Sequence, residues 1–188
     1  IAWDVAVLQE HSARPTNANG TPPDSAGRFI EDALTLGQTV QRHSPNVRIV
    51  LYETWAYSPL HEDAYPGMLP DATTFQNQLR TSYRAAGERL QEIGIDAIVA
   101  PCGDAWERMG FPLHLYRDDR KHPSVEGALL NGLVIFRTVY RRQVSDIDLA
   151  ELAGRLGIPH ESCRRLQAVA DATPLPESIA LPARGTRP

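Results

Sequence analysis

Residues 47–52, Val-Arg-Ile-Val-Leu-Tyr, form a short apolar and β-branched run that is typical of a buried strand. Similar runs occur before and after it, at residues 3–8 (WDVAVL) and 96–100 (DAIVA). Between these runs, apolar residues recur at helical spacing over residues 26–43 and 73–93. Strands that alternate with helices form parallel sheets with right-handed crossovers. The sequence therefore predicts an α/β domain built on a parallel sheet of buried strands.

The remainder of the chain is predicted to be mainly helical. Residues 105–109 indicate a helical turn, and Pro123 fits the first position of an apolar helix that ends near residue 140. A further helical region, residues 145–172, is interrupted at residues 157–159. We expect one domain over residues 1–172 and an extended or disordered, proline-rich tail over residues 173–188.

Composition excludes several classes of function. The 188 residues carry a net charge of −4, and their Lys and Arg residues are scattered, so we expect no nucleic-acid partner. No apolar stretch approaches the roughly 20 residues that a membrane span requires. Cys102 and Cys163 are not spaced as metal ligands, and unpaired thiols are favoured over one disulfide. The sequence assigns no compartment, metal or cofactor.

Polar residues follow the first two predicted strands. Residues 9–12, Gln-Glu-His-Ser, follow the first strand, and Glu53, Thr54 and Trp55 follow the second. Two long loops, residues 14–25 and 58–72, leave the sheet on the same side. Open parallel sheets bind their ligands at the carboxyl ends of the strands. We therefore expect the functional site at this edge.

The segment Asp119-Arg120-Lys121-His122-Pro123-Ser124, with Gly127 after it, is the most informative motif. A D-x-x-H turn before a helix can hold a carboxylate against one imidazole nitrogen while the other nitrogen faces a cleft. The alternative interpretation is a polar loop with a capping Asp and an exposed His. Its position after the third predicted strand favours a catalytic pair.

This motif resembles the last conserved block of the SGNH/GDSL hydrolases, D-x-x-H-P-S-x-x-G before an apolar helix. The run Asp4-Val5-Ala6-Val7-Leu8 is similar to the family's D-V-V-x-L strand. L-Q-E-x-S at residues 8–12, E-T-W-x-x at residues 53–57 and P-x-G-D-A-W at residues 101–106 resemble one uncharacterised SGNH-like branch. The resemblance extends over residues 3–140 and keeps the order of the motifs.

The resemblance implies a three-layer α/β/α, flavodoxin-like fold and a Ser-His-Asp triad that hydrolyses acyl or acetyl esters, including those of carbohydrates. His122 would be the general base and Asp119 its orienting partner, since the three-residue spacing fits Asp119 and not Asp118. Gln9 or His11 would stabilise the oxyanion, although the family has Asn where His11 falls. Ser12 and Trp55 would lie at the same substrate edge, and no cofactor is implied.

The family's nucleophilic serine lies in a G-D-S or G-N-S turn after its first strand, and this block is not found in the chain. None of the serines near the predicted edge (Ser12, Ser58 and Ser124) is assigned as the nucleophile, and Ser124 is expected to cap its own helix. We therefore expect an N-terminally incomplete domain. Such a domain is expected to be marginally stable, or to have a partner or second copy covering the exposed sheet edge.

Two rival functions remain from the sequence. A catalytically inactive member would keep the pocket as a carbohydrate-binding or interaction module. A nucleotide-binding or transferase domain could use the same type of sheet, but no Gly-rich phosphate loop follows any of the predicted strands.

Overall fold

The computed structural model describes residues 1–176, which contain three strands and six α-helices. The elements in chain order are β1 Val5–Leu8, α1 Ser25–His43, β2 Arg48–Tyr52, α2 Ala72–Glu92, β3 Ala97–Ala100, α3 Cys102–Arg108, α4 Val125–Tyr140, α5 Ala150–Leu156 and α6 His160–Ala172. A 3-10 turn, Leu113–Leu115, precedes α4. The predicted elements are present, with boundaries that differ by a few residues.

The three strands form a parallel sheet in the order β1-β2-β3. Val5 is opposite Arg48 in the first pair, and Ile49 is opposite Ala97 in the second. Right-handed crossovers between strands that are neighbours in both sequence and sheet place their helices on the same face. α1 and α2 therefore pack side by side on one face of the sheet. α4 packs on β3 and is in turn covered by α6. The predicted three-layer α/β/α architecture is confirmed.

β1 differs from the predicted buried strand. Its exposed fraction alternates, and Val5 and Val7 remain 37% and 47% exposed, whereas Ala6 and Leu8 pack against the core. β1 is an edge strand among the described residues, so no second neighbour covers it. β2 and β3 supply the buried centre of the sheet, which includes Ile49, Val50 and Leu51. The prediction of a fully buried first strand was therefore wrong.

The start of α4 also differs from the prediction. Pro123 does not occupy the first helical position, because Ser124 is the N-cap and its side chain accepts a hydrogen bond from the Gly127 N–H. The capping role predicted for Ser124 is confirmed. Gly127 is required by close packing, since a Cβ there would overlap the Leu115 carbonyl oxygen and lie 2.7 Å from the Trp106 ring.

The remaining predictions concern membrane spans, the C-terminal tail and the two cysteines. No helix within residues 1–176 is both long and apolar enough to cross a membrane. Of the predicted tail, residues 177–188 lie outside the described part of the chain. Cys102 and Cys163 are both buried free thiols.

Candidate functional site

His122 and Asp119 lie in direct contact. The His122 Nδ1 atom is 2.6 Å from Asp119 Oδ2, and Asp119 Oδ1 accepts the backbone N–H groups of Lys121 and His122 at 3.0 and 2.9 Å. The His122 side chain is 61% exposed and that of Asp119 is 40% exposed. Because Asp119 engages Nδ1, the Nε2 atom of His122 is the one left to face solvent. We refer to residues 119–122 as the D-x-x-H turn.

The electrostatics of Asp119 favour its ionised form. Desolvation would raise the pKa of Asp119, but the hydrogen bonds from the His122 ring and from the two backbone N–H groups lower it well below its usual range. A carboxylate that stays ionised holds the imidazole with its proton on Nδ1, which leaves Nε2 able to accept a proton. The pair therefore has the geometry of a general base and its orienting group.

The backbone of the D-x-x-H turn is hydrogen-bonded to the segment that follows β2. The Ser58 N–H donates to the Arg120 carbonyl oxygen at 2.8 Å, and the Trp55 indole N–H donates to the Lys121 carbonyl oxygen at 3.0 Å. Arg120 adopts φ +59°, a left-handed conformation that a non-glycine residue adopts at a cost. These two hydrogen bonds on adjacent carbonyl groups fix the turn in that conformation.

The supporting segment, residues 53–58, is buried throughout. Gln76 on α2 lies at its centre, with its Nε2 donating to Glu53 Oε1 at 2.8 Å and its Oε1 accepting the Ala56 N–H at 2.9 Å. The Tyr116 hydroxyl donates to the Ala56 carbonyl oxygen at 2.9 Å. Buried backbone groups need hydrogen-bond partners, and here Gln76 of α2 and Tyr116, which precedes α4, provide them.

Glu53 is a buried carboxyl group at the end of β2. Burial raises the pKa of Glu53 well above its usual range, and the neighbouring Asp104 carboxylate raises it further. Asp104 is itself paired with Arg80, whose Nε lies 2.6 Å from Asp104 Oδ1. Arg80 and Arg84 bind Asp104, and burial together with the Asp104 carboxylate favours the protonated form of Glu53.

The structure places Trp55 beneath the turn instead of in an open cleft. Trp55 is 5% exposed, and its ring is stacked on Trp106 with centroids 4.6 Å apart. Trp106 in turn donates from its indole N–H to Asn131 Oδ1 at 2.7 Å. One face of the Trp55 ring is thus covered by Trp106, and its indole N–H binds the Lys121 carbonyl oxygen.

The residues predicted after β1 form a separate group. Gln9 and His11 are exposed and Ser12 is partly buried. Gln9 lines a small cleft with Leu8 and Leu36. Within residues 1–176 no hydrogen bond or ion pair joins Gln9, His11 or Ser12 to the D-x-x-H turn. The predicted oxyanion donors and the Asp119–His122 pair thus lie on the same edge but are not joined by a hydrogen bond or ion pair.

Among residues 1–176, no hydroxyl or thiol group is paired with His122 and no metal ligand cluster is found. No serine, threonine or cysteine side chain there hydrogen-bonds to His122. Ser58 Oγ accepts the Leu60 N–H, and Ser124 Oγ donates to the His114 carbonyl oxygen. No cluster of three or more potential metal ligands occurs within these residues.

Sequence reasoning did not identify the roles of Gln76, Ser58 and Tyr116. Gln76 lies on the buried face of α2, where an amide is out of place on a helix that otherwise buries apolar residues such as Phe75 and Leu79. A buried amide needs hydrogen-bond partners, and this was the available signal. The backbone carbonyl partners of Trp55 and Tyr116 leave no trace in the sequence.

Comparison with solved structures identifies a protein with a similar fold. No protein-family model and no curated protein matches the chain. The crystal structure of a DUF4886 family protein from Bacteroides uniformis is similar to it, with a TM-score of 0.63 and 19% sequence identity. The match covers 90% of this chain and 61% of that protein, so this chain spans less than two thirds of the relative's length. At this identity the likeness supports the fold alone.

Proposed function

We propose that this chain carries the His-Asp part of a serine esterase that cleaves acyl or acetyl esters, including esters of carbohydrates. The observation that carries the proposal is the 2.6 Å contact between His122 Nδ1 and Asp119 Oδ2, which leaves Nε2 facing solvent. The resemblance of D-x-x-H-P-S-x-x-G to the SGNH/GDSL block supports it.

In the proposed reaction, His122 Nε2 accepts the proton of a serine hydroxyl as the serine oxygen attacks the ester carbonyl carbon. Asp119 stabilises the imidazolium that forms. The tetrahedral intermediate collapses, His122 returns the proton to the departing alcohol, and an acyl-serine ester remains. Water, deprotonated by His122, then releases the carboxylic acid and regenerates the serine.

In this proposal the nucleophilic serine belongs to a polypeptide segment other than the described residues. Gln9 or His11 would donate to the oxyanion. The exposed side of β1, with Val5 and Val7, suits an added strand or a second copy of the chain.

Hydrolysis of p-nitrophenyl acetate by the full polypeptide that carries this chain tests the proposal. His122→Ala is expected to lower kcat by about 10³-fold or more, and Asp119→Asn by about 10²–10⁴-fold. His114→Ala is the matched control, because His114 is also an exposed histidine beside a carboxylate, 3.6 Å from Glu126. It should retain activity.

Unchanged activity in His122→Ala would overturn the proposal. If the 188-residue chain alone hydrolyses the ester and His122→Ala abolishes this, the His122 role stands but the nucleophile lies within the chain. Carbohydrate binding with no hydrolysis in the full polypeptide would instead support the inactive binding module, which the absence of a hydroxyl bound to His122 among the described residues favours.

A further inference from the structure

A cleft of about 430 Å³ lies between the loop after β1 and the first turns of α2. Its lining side chains are small or polar, and none is charged: Asn17, Ala26, Thr74, Asn77, Gln78, Thr81 and Ser82. Thr74, Asn77, Gln78 and Thr81 recur at helical spacing on one face of α2, and Asn17 faces them from the loop. The cleft is therefore a concave surface and not simply the solvated side of a helix.

The three amide side chains of this cleft are oriented by contacts through their oxygen atoms. Asn17 Oδ1 accepts the Ala26 N–H at 3.2 Å, and Gln78 Oε1 accepts the Asn17 N–H at 3.0 Å. Asn77 Oδ1 accepts from the Arg80 guanidinium. Because each oxygen is used by the protein, the NH₂ group of each amide is the part left for a ligand.

The side chains of this cleft favour ligands that form hydrogen bonds and carry no charge. Three NH₂ groups supply donors, and the hydroxyls of Thr74 and Ser82 supply groups that both donate and accept. A second cleft of about 410 Å³, at the start of α1, instead contains charged residues that include Arg14, Asp24 and Arg28. The uncharged cleft offers no cation to a phosphate or carboxylate, so it suits neutral oxygen-rich molecules.

We propose that this cleft binds a neutral saccharide, whose hydroxyl and ring oxygen atoms accept hydrogen bonds from Asn17, Asn77 and Gln78. The binding site itself is independent of the proposed hydrolysis. Its assignment as a subsite for a carbohydrate ester rests on the proposed function.

The cleft is linked to the D-x-x-H turn through two loops. Asn19, next to the cleft, donates from its backbone N–H to the Met68 carbonyl oxygen at 3.0 Å and from Nδ2 to the Gly67 carbonyl oxygen at 3.0 Å. The loop that contains these residues begins at Ser58, whose N–H binds Arg120 in the turn. The loop of residues 58–72 thus contacts the cleft region near one end and the D-x-x-H turn at the other.

The test is a titration of the ¹⁵N-labelled chain with neutral oligosaccharides (xylohexaose, cellohexaose and N-acetylchitohexaose), followed by amide chemical shifts. We expect saturable shifts at Asn17, Asn77 and Gln78 for at least one sugar. Gln78→Glu keeps the oxygen that accepts the Asn17 N–H but replaces the donor, and should weaken binding about tenfold or more. Gln38→Glu, the same change on an exposed position of α1, is the matched control and should bind normally.

The proposal is overturned if none of the sugars causes saturable shifts at about 20 mM, well above the roughly 1 mM Kd of a weak site. It is also overturned if the shifts fall on Arg14 and Arg28, or if Gln78→Glu binds like the wild type. His122→Ala should bind sugar with unchanged affinity. Sugar binding by the chain with no ester cleavage by the full polypeptide would therefore refute the hydrolase and retain the cleft, and ester cleavage by the full polypeptide without sugar binding would do the reverse.

Discussion

Replacing the buried carboxyl group of Glu53 by an amide, Glu53→Gln, should stabilise the fold at neutral pH. The amide keeps an oxygen that can accept from Gln76 Nε2, as Glu53 Oε1 does at 2.8 Å. Its NH₂ can take the place of the acid proton toward Asp104. The glutamine side chain thus resembles the protonated form of Glu53 but does not ionise as the pH rises.

The size of the effect follows from proton linkage. Glu53 has 0% exposed surface, and its pKa is raised by burial and by Asp104, so the folded state keeps the proton. An unfolded Glu loses its proton near pH 4.3, so between that pH and the raised folded pKa of Glu53 the stability of the fold falls by about 1.4 kcal/mol for each pH unit. The contribution of Glu53 is therefore complete below about pH 4 and is lost as the pH rises toward its folded pKa.

Urea unfolding of the wild type and Glu53→Gln at several pH values measures this difference directly. We expect equal stability near pH 4 and an advantage for the variant that grows with pH. Glu88→Gln, on the exposed side of the same helix that carries Gln76, should show no such trend. Parallel pH profiles for the wild type and Glu53→Gln between about pH 5 and pH 8 would refute the assignment of a protonated Glu53.

Three other changes test packing, support and charge around the site. Gly127→Ala should destabilise the fold by about 2–3 kcal/mol in urea unfolding because its Cβ has no room, whereas Gly132→Ala on the same helix, with open space around it, should stabilise by about 0.5–1 kcal/mol. Trp55→Phe should cost about 1 kcal/mol and lower the activity of the full polypeptide, since it removes the indole hydrogen bond to the D-x-x-H turn; equal stability would contradict that support. The carboxyl carbon of Asp119 should titrate in ¹³C NMR below the ordinary value near pH 3.9, so the stability it contributes is present above that pH and lost as the pH falls through the lower folded pKa.

The sequence predicted the sheet and the contact between Asp119 and His122 for different physical reasons. β2 and β3 are buried on both faces, so their apolar runs identify them. The Asp119–His122 contact is local, and a three-residue spacing before a helix is sufficient to predict it. β1 was misjudged because the same apolar run, at residues 5–8, occurs in an edge strand whose uncovered face exposes Val5 and Val7. A run of apolar residues indicates that a strand can be buried. Whether other elements cover it depends on the rest of the fold.

The support of the turn could not be predicted because it depends on long-range backbone contacts. The Trp55 indole N–H and the Ser58 backbone N–H donate to carbonyl oxygens more than 60 residues away, and any residue could supply those carbonyl groups. The burial of residues 53–58 nevertheless explains why the local pair stays in place although it is well exposed to solvent. A turn that is anchored on two adjacent carbonyl groups does not need a closed pocket to keep its geometry. Gln76 accepts the Ala56 N–H and donates to Glu53, so the anchor of the turn extends from residues 53–58 to α2.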